Sequence, residues 1–338
     1  MLAAAIATGP MLLIALLGRT VPAPALTPSY VPALEPYRER EVPFYDRYLD
    51  ELRAVRARWV FIGDSMLGTR IDPRVLSELS NRAGVGMVMQ AGSGSAWWYL
   101  ALKNVVAASG VKPRYVFIFF RDENLTDPMF RATGTYRWSL DLVARAHEPE
   151  LNSVFAANLA GPWFRVHDFV DRKLDVQRLG LWSERRLREL PLGWFAAPNE
   201  QAQFEARVNV AFDLDRLRPI PEADMQRAED ARLDFARDVE RSVLPEMVRT
   251  SERHKLSLVF IRVQRRPTPD GPPQQSDAMT KYVADLKAWL EARGAKFYDD
   301  TGAKELTLDL YEDGDHIDRS KREFYTTWFR RRLAPLFE

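Results

Sequence analysis

The sequence predicts an α/β fold: a flavodoxin-like three-layer sandwich on a five-stranded parallel sheet of order 2-1-3-4-5. A large, mainly helical insertion and an N-terminal membrane segment complete the expectation. Three observations predict it. Short, almost wholly apolar runs such as WVFI, VGMVM, YVFIFF and LVFI alternate with longer stretches of helical spacing, the pattern of strands buried on both faces of a parallel sheet. The alternation stops near residue 121 and resumes near residue 220. The opening run MLAAAIATGPMLLIALLG carries no charge before Arg19.

That opening run is at the lower limit of what spans a bilayer as a helix. VPAPALTP and a Pro-rich, polar stretch follow to about Pro43. Residues 1–19 are therefore expected to be a transmembrane anchor and 20–43 a linker. Ala23-Pro24-Ala25 has the small-x-small form of a cleavage site, so a signal segment is the alternative. Both readings put residues 44–338 outside the cytoplasm, as one domain with an insertion at about 121–220.

Within that domain YDRYLDELRAVRA reads as helix and RWVFIG as the first strand. PRVLSELSNRAG reads as helix stopped at Gly84, followed by the strand VGMVMQ. SAWWYLALKNVVAASG is a helix closed by Gly110, and PRYVFIFF is the third strand. The insertion is rich in Arg, Trp and Pro. Beyond it, residues 222–254 read as one long amphipathic helix and KLSLVFIRV as the fourth strand. SDAMTKYVADLKAWLEARG is a helix ended by Gly294, AKFYDD the fifth strand, and RSKREFYTTWFRRRLAPLF a terminal helix. Right-handed crossovers between five such strands most simply give the order 2-1-3-4-5.

Composition narrows the function. The 338 residues are 46% hydrophobic and 28% charged, with a net charge of +1. That balance gives no reason to expect a nucleic-acid partner. There is no cysteine, which excludes disulfides, thiol catalysis and Cys-ligated zinc. His147, His167 and His254 are scattered, and no His/carboxylate spacing suggests a metal. DLYEDGDHIDRS loosely follows a calcium loop, but Tyr311 holds its third position and Ser320 its twelfth, where a glutamate is needed. No cofactor is expected.

In open α/β sheets the functional crevice lies outside the carboxyl ends of the strands. The first strand ends in Gly63-Asp64-Ser65, the second in Gln90-Ala91-Gly92-Ser93-Gly94-Ser95, and the third in Arg121-Asp122-Glu123-Asn124. Beyond the fifth lies Asp313-Gly314-Asp315-His316. A serine hydroxyl needs an imidazole to take its proton, and the imidazole needs an acid to fix its tautomer. His316 and Asp313, three residues apart, can supply both, with Asp315 the alternative acid. The amides of Ser65 and of the Gly92–Gly94 loop would then face a developing oxyanion. The bland reading of Ser65 is a helix N-cap.

FIGDSM together with the late DGDH resembles the SGNH/GDSL hydrolase superfamily, over roughly residues 44–120 and 250–338. The resemblance implies Ser65 as nucleophile, His316 as general base and Asp313 as orienting acid. Gly94, or alternatively Gly92, would be the glycine of the second block. The family's third block, Gly-x-Asn-Asp, is not in register here. The strand runs instead into FFRDENL, where Arg121 and Asn124 are the candidate oxyanion donors. Asp64, Asp122, Trp97 and Trp98 are the candidate substrate-binding residues. Aromatics at helical spacing are more often core than ligand platform, but Trp97, Trp98 and Tyr99 in a row cannot all face inward on a helix, so one of them is a candidate to line the cleft, where a sugar ring could stack. Trp138, Trp163, Trp182 and Trp194 are lobe core or glycan surface. The basic cluster of Arg172, Lys173, Arg178, Arg185, Arg186 and Arg188, like Arg330–Arg332, reads as a solvated helix face.

The layout is similar to the periplasmic proteins of bacterial polysaccharide O-acetylation, of the alginate and peptidoglycan type. That implies a polysaccharide substrate, a membrane-bound O-acyltransferase partner and a bacterial inner-membrane protein whose catalytic domain lies in the periplasm. Two other readings stay open: a stand-alone periplasmic carbohydrate or lipid esterase, and a catalytically dead glycan-binding module.

Overall fold

The computed structural model describes residues 30–31, 33–34, 42–133, 136–159, 233–272, 274–312 and 314–338. The expected anchor, most of the linker and residues 160–232, which hold the later part of the insertion and the start of the helix expected over 222–254, lie outside them. So do Trp163, Trp182, Trp194, His167 and the basic cluster from Arg172 to Arg188.

Five strands form one parallel sheet in the order β2-β1-β3-β4-β5. They are β1 (Trp59–Gly63), β2 (Val85–Met89), β3 (Tyr115–Phe120), β4 (Leu258–Arg262) and β5 (Lys296–Asp299). Successive side chains of a strand point to opposite faces, and the core divides on that period. Val60, Ile62, Val116, Ile118, Leu258 and Phe260 join one buried cluster. Trp59, Phe61, Phe117, Phe119, Val259 and Ile261 join the other. Both faces are covered, so the inner strands are nearly all apolar rather than alternating, while β5, KFYD at the sheet edge, keeps Lys296 exposed.

The helices are α1 (Arg47–Ala54), α2 (Ser65–Arg70), α3 (Pro73–Glu78), α4 (Ser95–Leu100), α5 (Arg137–Asp141), α6 (Pro149–Asn158), α7 (Phe235–Glu240), α8 (Leu244–His254), α9 (Asp277–Glu291), α10 (Arg322–Arg332) and α11 (Ala334–Phe337). On one face α1, α4, α8 and α9 supply Leu52, Trp98, Met247 and Leu286 to the first cluster. On the other, α2, α3, α10 and α11 supply Leu67, Leu76, Phe329 and Phe337 to the second. Phe117 anchors that side, stacked on Phe61 at 4.6 Å and on Phe337 at 5.5 Å.

Three expected elements differ in form. The helix from Pro73 ends at Glu78, because Asn81 and Arg82 take left-handed backbone (φ 55° and 57°). Gly84 is not its stop. A Cβ at Gly84 would lie 1.9 Å from the Val55 carbonyl oxygen, so the glycine lets the end of α1 cross the start of β2. The helix from Ser95 widens into a π segment over Ala101–Val106, then a 3₁₀ turn, before Gly110 closes it at φ 76°. The long helix expected over 222–254 is two helices, α7 and α8, in its described part. Pro245 has no N–H for the Arg241 carbonyl and its ring would clash there. Ser242 Oγ caps the break, accepting from Leu244 N at 3.1 Å and donating to Val239 O at 2.8 Å. Among the described residues, no helix is long and apolar enough to cross a membrane.

Candidate active site

The carboxyl end of β1 is where the chain builds its first functional group. Gly63 is the last residue of the strand, and a Cβ there would meet Leu67 Cβ at 2.8 Å. Its absence lets α2 turn back at once over the strand. Asp64 is the N-cap, its Oδ1 accepting from Met66 N at 2.8 Å, so the capping role falls to Asp64 rather than to the serine. Ser65 is thereby the first helical residue, half-buried at the rim.

His316 comes from the loop between a 3₁₀ turn at Leu308–Leu310 and another at Arg319–Lys321. A Tyr311–Ile317 bridge, Glu312 N to His316 O at 3.1 Å and Asp318 N to Leu310 O at 2.8 Å hold that loop. Asp315 fastens it to the sheet. One carboxylate oxygen pairs with Arg121 at the end of β3, and the other accepts from Arg266 N at 2.8 Å, beyond β4. Asp315 is thus a tether of the loop. Asp313 lies outside the described residues.

These two ends meet. His316 Nε2 lies 2.9 Å from Ser65 Oγ, across 251 residues of sequence. Both residues are half-buried, open enough for a substrate and sheltered enough to strengthen polar contacts.

The second-strand loop packs beside them. The Gly63 carbonyl accepts from Gln90 N at 3.2 Å and from Ser93 Oγ at 3.4 Å. Ser93 Oγ in turn accepts from Trp98 Nε1 at 3.0 Å. Gly92 has φ 71° and lies under the Tyr136 ring, 2.8 Å from where its Cβ would be. Gly94 is buried at the N-terminus of α4, where a Cβ would come 2.5 Å from the Phe130 carbonyl oxygen. Both glycines are required by close approach of the segment after β3.

Asp64 carries an unusual carboxyl. Burial pushes its pKa above the ordinary range. The Met66 amide and the positive charges of Arg121, Arg131 and Arg70 offset only part of that. The neighbour of Ser65 is therefore a carboxylate whose charge is costly and is partly offset by three guanidinium groups.

Three expected substrate-binding residues are placed elsewhere. Trp97 and Trp98 are each 1% exposed, and Tyr99 is fully buried. All six residues of α4 are buried, because the helix lies between the sheet and α1, α5 and α8. Trp97 packs edge-on against Tyr48 at 6.2 Å. None of the three faces a cleft, because this helix has no exposed side. Asp122 is also core, 3% exposed at φ 47°. It bridges Arg262 and Arg265. Burial raises its pKa, but the two guanidinium groups outweigh that and hold it below the usual carboxylate range. Arg262 also reaches Asp299 at 3.0 Å, so Asp122 joins three strand ends rather than facing a ligand. Asn124, on the same 3₁₀ turn, is 9% exposed. Trp138 stands out at 39% exposed.

Sequence reasoning passed over Arg131. Its guanidinium stands by the Gly92 loop and acts on Asp64. No motif marks it, because the segment that brings it there folds back from the insertion.

No protein-family model matches the chain, and no curated protein matches it. Two solved structures are similar over most of its length. One is a candidate acylhydrolase from Bacteroides fragilis NCTC 9343: 12% identity, 87% of this chain and 97% of that one, TM-score 0.38. The other is a GDSL-like lipase from Bacteroides thetaiotaomicron VPI-5482: 14% identity, 86% and 97% covered, TM-score 0.36.

Proposed function

We propose that the protein is a serine-dependent acyl-transfer enzyme of the SGNH/GDSL type. The observation that carries the reading is the 2.9 Å approach of His316 Nε2 to Ser65 Oγ at the carboxyl edge of the sheet. In the first half-reaction the Ser65 hydroxyl proton passes to His316 as Oγ attacks the ester carbonyl. The tetrahedral oxyanion collapses, and His316 returns the proton to the departing alkoxide. In the second, water or an acceptor hydroxyl gives its proton to His316 and attacks the acyl-serine, which restores Ser65. Asp313 is the acid assigned to hold the imidazole. The amides of Ser65 and the Gly92–Gly94 loop are the assigned oxyanion donors.

The finer reading is an O-acetyltransferase acting on a cell-surface polysaccharide, anchored by residues 1–19 with its catalytic domain outside the cytoplasm. It would receive acetyl groups with help from a membrane-bound O-acyltransferase. The order of apolar run, Pro-rich linker and α/β domain supports it. Water and a sugar hydroxyl attack the same acyl-serine, so the motif residues serve hydrolysis and transfer alike.

The test is 4-nitrophenyl acetate turnover with parallel labelling by a serine-directed fluorophosphonate. Ser65→Ala is expected to abolish both. Turnover at the parental rate in that variant rejects the nucleophile, and an unlabelled parent favours a binding module. Mass spectrometry for acetylated oligosaccharide, with donor and acceptor both supplied, separates transfer from hydrolysis. Fractionation of full-length protein against one starting at residue 20 tests the anchor.

A further inference from the structure

We propose that Arg131 is a specificity-determining residue, receiving a carboxylate of the substrate at the rim of the Ser65–His316 site. The proposal rests on the acyl-transfer reading of that site and adds a substrate class to it.

Asp127 Oδ1 accepts from Met129 N at 2.9 Å and Phe130 N at 3.1 Å, which shapes the turn before Arg131. The Asp127 carbonyl accepts from Ser95 Oγ at 2.9 Å, fixing that turn to the start of α4. The turn is therefore fastened to the residue that follows Gly94. Arg131 Nη1 comes within 3.5 Å of where a Gly92 Cβ would stand. Its charge is felt by Asp64, next to the nucleophile.

Its posture is also constrained. The guanidinium carbon lies 4.9 Å from the Phe130 ring centre and 5.0 Å from that of Tyr136. Cation–π contacts of this kind orient the planar group while leaving its edge donors for a ligand. Arg131 also holds a left-handed backbone, φ 53°, which a side-chain-bearing residue adopts at a cost. Tyr136 is 41% exposed, so the stack opens to solvent.

The other cations near Asp64 are committed. Arg121 is paired with Asp315. Arg70 is fully buried and donates to Gln264 O at 3.0 Å and Met66 O at 3.3 Å. Among the described residues, no carboxylate lies within ion-pair distance of Arg131, and Asp64 already accepts from Met66 N. An oriented, partly buried guanidinium with no carboxylate at ion-pair distance, standing over the Gly92 loop, matches the planar two-oxygen geometry of a carboxylate. That carboxylate can sit on the acyl half or the alcohol half of the ester.

The experiment compares three esters on the full chain: 4-nitrophenyl acetate, which is neutral; 4-nitrophenyl hydrogen succinate, anionic on the acyl half; and 4-acetoxybenzoate, anionic on the alcohol half. One of the anionic esters is expected to show a KM about tenfold or more below that of the neutral ester. Arg131→Gln should raise that KM by about the same factor with a much smaller change in kcat, and Arg131→Lys should recover part of it. The preference should shrink as salt rises from about 0.05 to 0.5 M. Which ester responds tells which half carries the anion. A parent enzyme with no preference for either anionic ester overturns the proposal. So does an Arg131→Gln enzyme in which all KM values move together. Should Arg131→Gln fail to fold, the parent's preference and its salt dependence decide the matter. Failure of the parent on every ester would count against the acyl-transfer reading itself. A chemical-shift titration with benzoate against benzyl alcohol would then decide Arg131 separately: saturable benzoate binding lost in Arg131→Gln and partly kept in Arg131→Lys sustains the anion site, and equal or absent binding in parent and Arg131→Gln overturns it.

Discussion

Ser65 reaches the rim with its hydroxyl unspent because Asp64 takes the capping duty that a first-turn serine often performs. His316 accordingly has a free hydroxyl to approach, and removing the imidazole leaves that hydroxyl near its solution reactivity. His316→Ala is expected to lower kcat for 4-nitrophenyl acetate by about 10⁴-fold or more, read in single-turnover kinetics. It should also slow fluorophosphonate labelling of Ser65. Asp122 makes the opposite case. It was expected near the substrate, yet it is buried between Arg262 and Arg265. Removing one partner of a buried ion pair strands the others, at about 3–5 kcal/mol. Asp122→Asn should therefore lower the unfolding free energy from urea titration by an amount in that range while the KM of the remaining folded enzyme stays near the parental value. A KM rise without a stability loss would return Asp122 to the substrate.

Between neighbouring elements, two glycines separate fold from activity. Gly84 gives passage to the Val55 carbonyl and lies at the amino end of β2, on the side of the sheet away from the site. Gly94 gives passage to the Phe130 carbonyl and lies in the loop beside Ser65. In both the obstructing atom is backbone, so a methyl group cannot be absorbed by a rotamer change. Either substitution to alanine should cost about 1–3 kcal/mol, seen as a drop in thermal midpoint. Gly94→Ala should in addition lower kcat/KM, because the Phe130–Arg131 turn must retreat from the loop. Gly84→Ala should leave kcat/KM close to the parental value. Equal kinetic effects would mean that the glycine loop does not shape the site.

For the molecule as a whole, buried carboxyls set the response to pH. Asp300, at the carboxyl edge of β5, is 1% exposed. Burial pushes its pKa up to about 6, although Arg332 and the Tyr325 hydroxyl, donating at 2.8 Å, pull the other way. A carboxyl whose folded pKa lies above its unfolded value favours the fold most at low pH. It loses that contribution as pH rises from about 4 to about 6, and is flat above. Asp64 is shifted in the same direction, and Asp122, held low, in the reverse. Urea unfolding at pH 4, 5, 6 and 7 should show the Asp300→Asn protein lacking a decline that the parent displays over this window. An identical pH profile in the two would remove Asp300 from the account.

Local chemistry was enough to place the strands, because burial on both faces leaves the inner ones nearly uninterrupted apolar runs that polar helices cannot mimic. It was also enough to single out Ser65, just past the end of β1, and His316, on the loop beyond β5, as candidates, and the structure brings the two together. Whether a side chain is core or cleft depends on what lies across from it, and that is a long-range property. Trp97 and Trp98 look like a ligand platform until α1, α5 and α8 close around α4. Asp122 looks like a rim carboxylate until β4 brings up Arg262. Arg131 has no signature in the chain at all, because its meaning comes from the turn that carries it back over Gly92. The meeting of Ser65 with His316 has the same origin: parallel strands all end on one edge of the sheet, so residues 251 positions apart are delivered to the same rim.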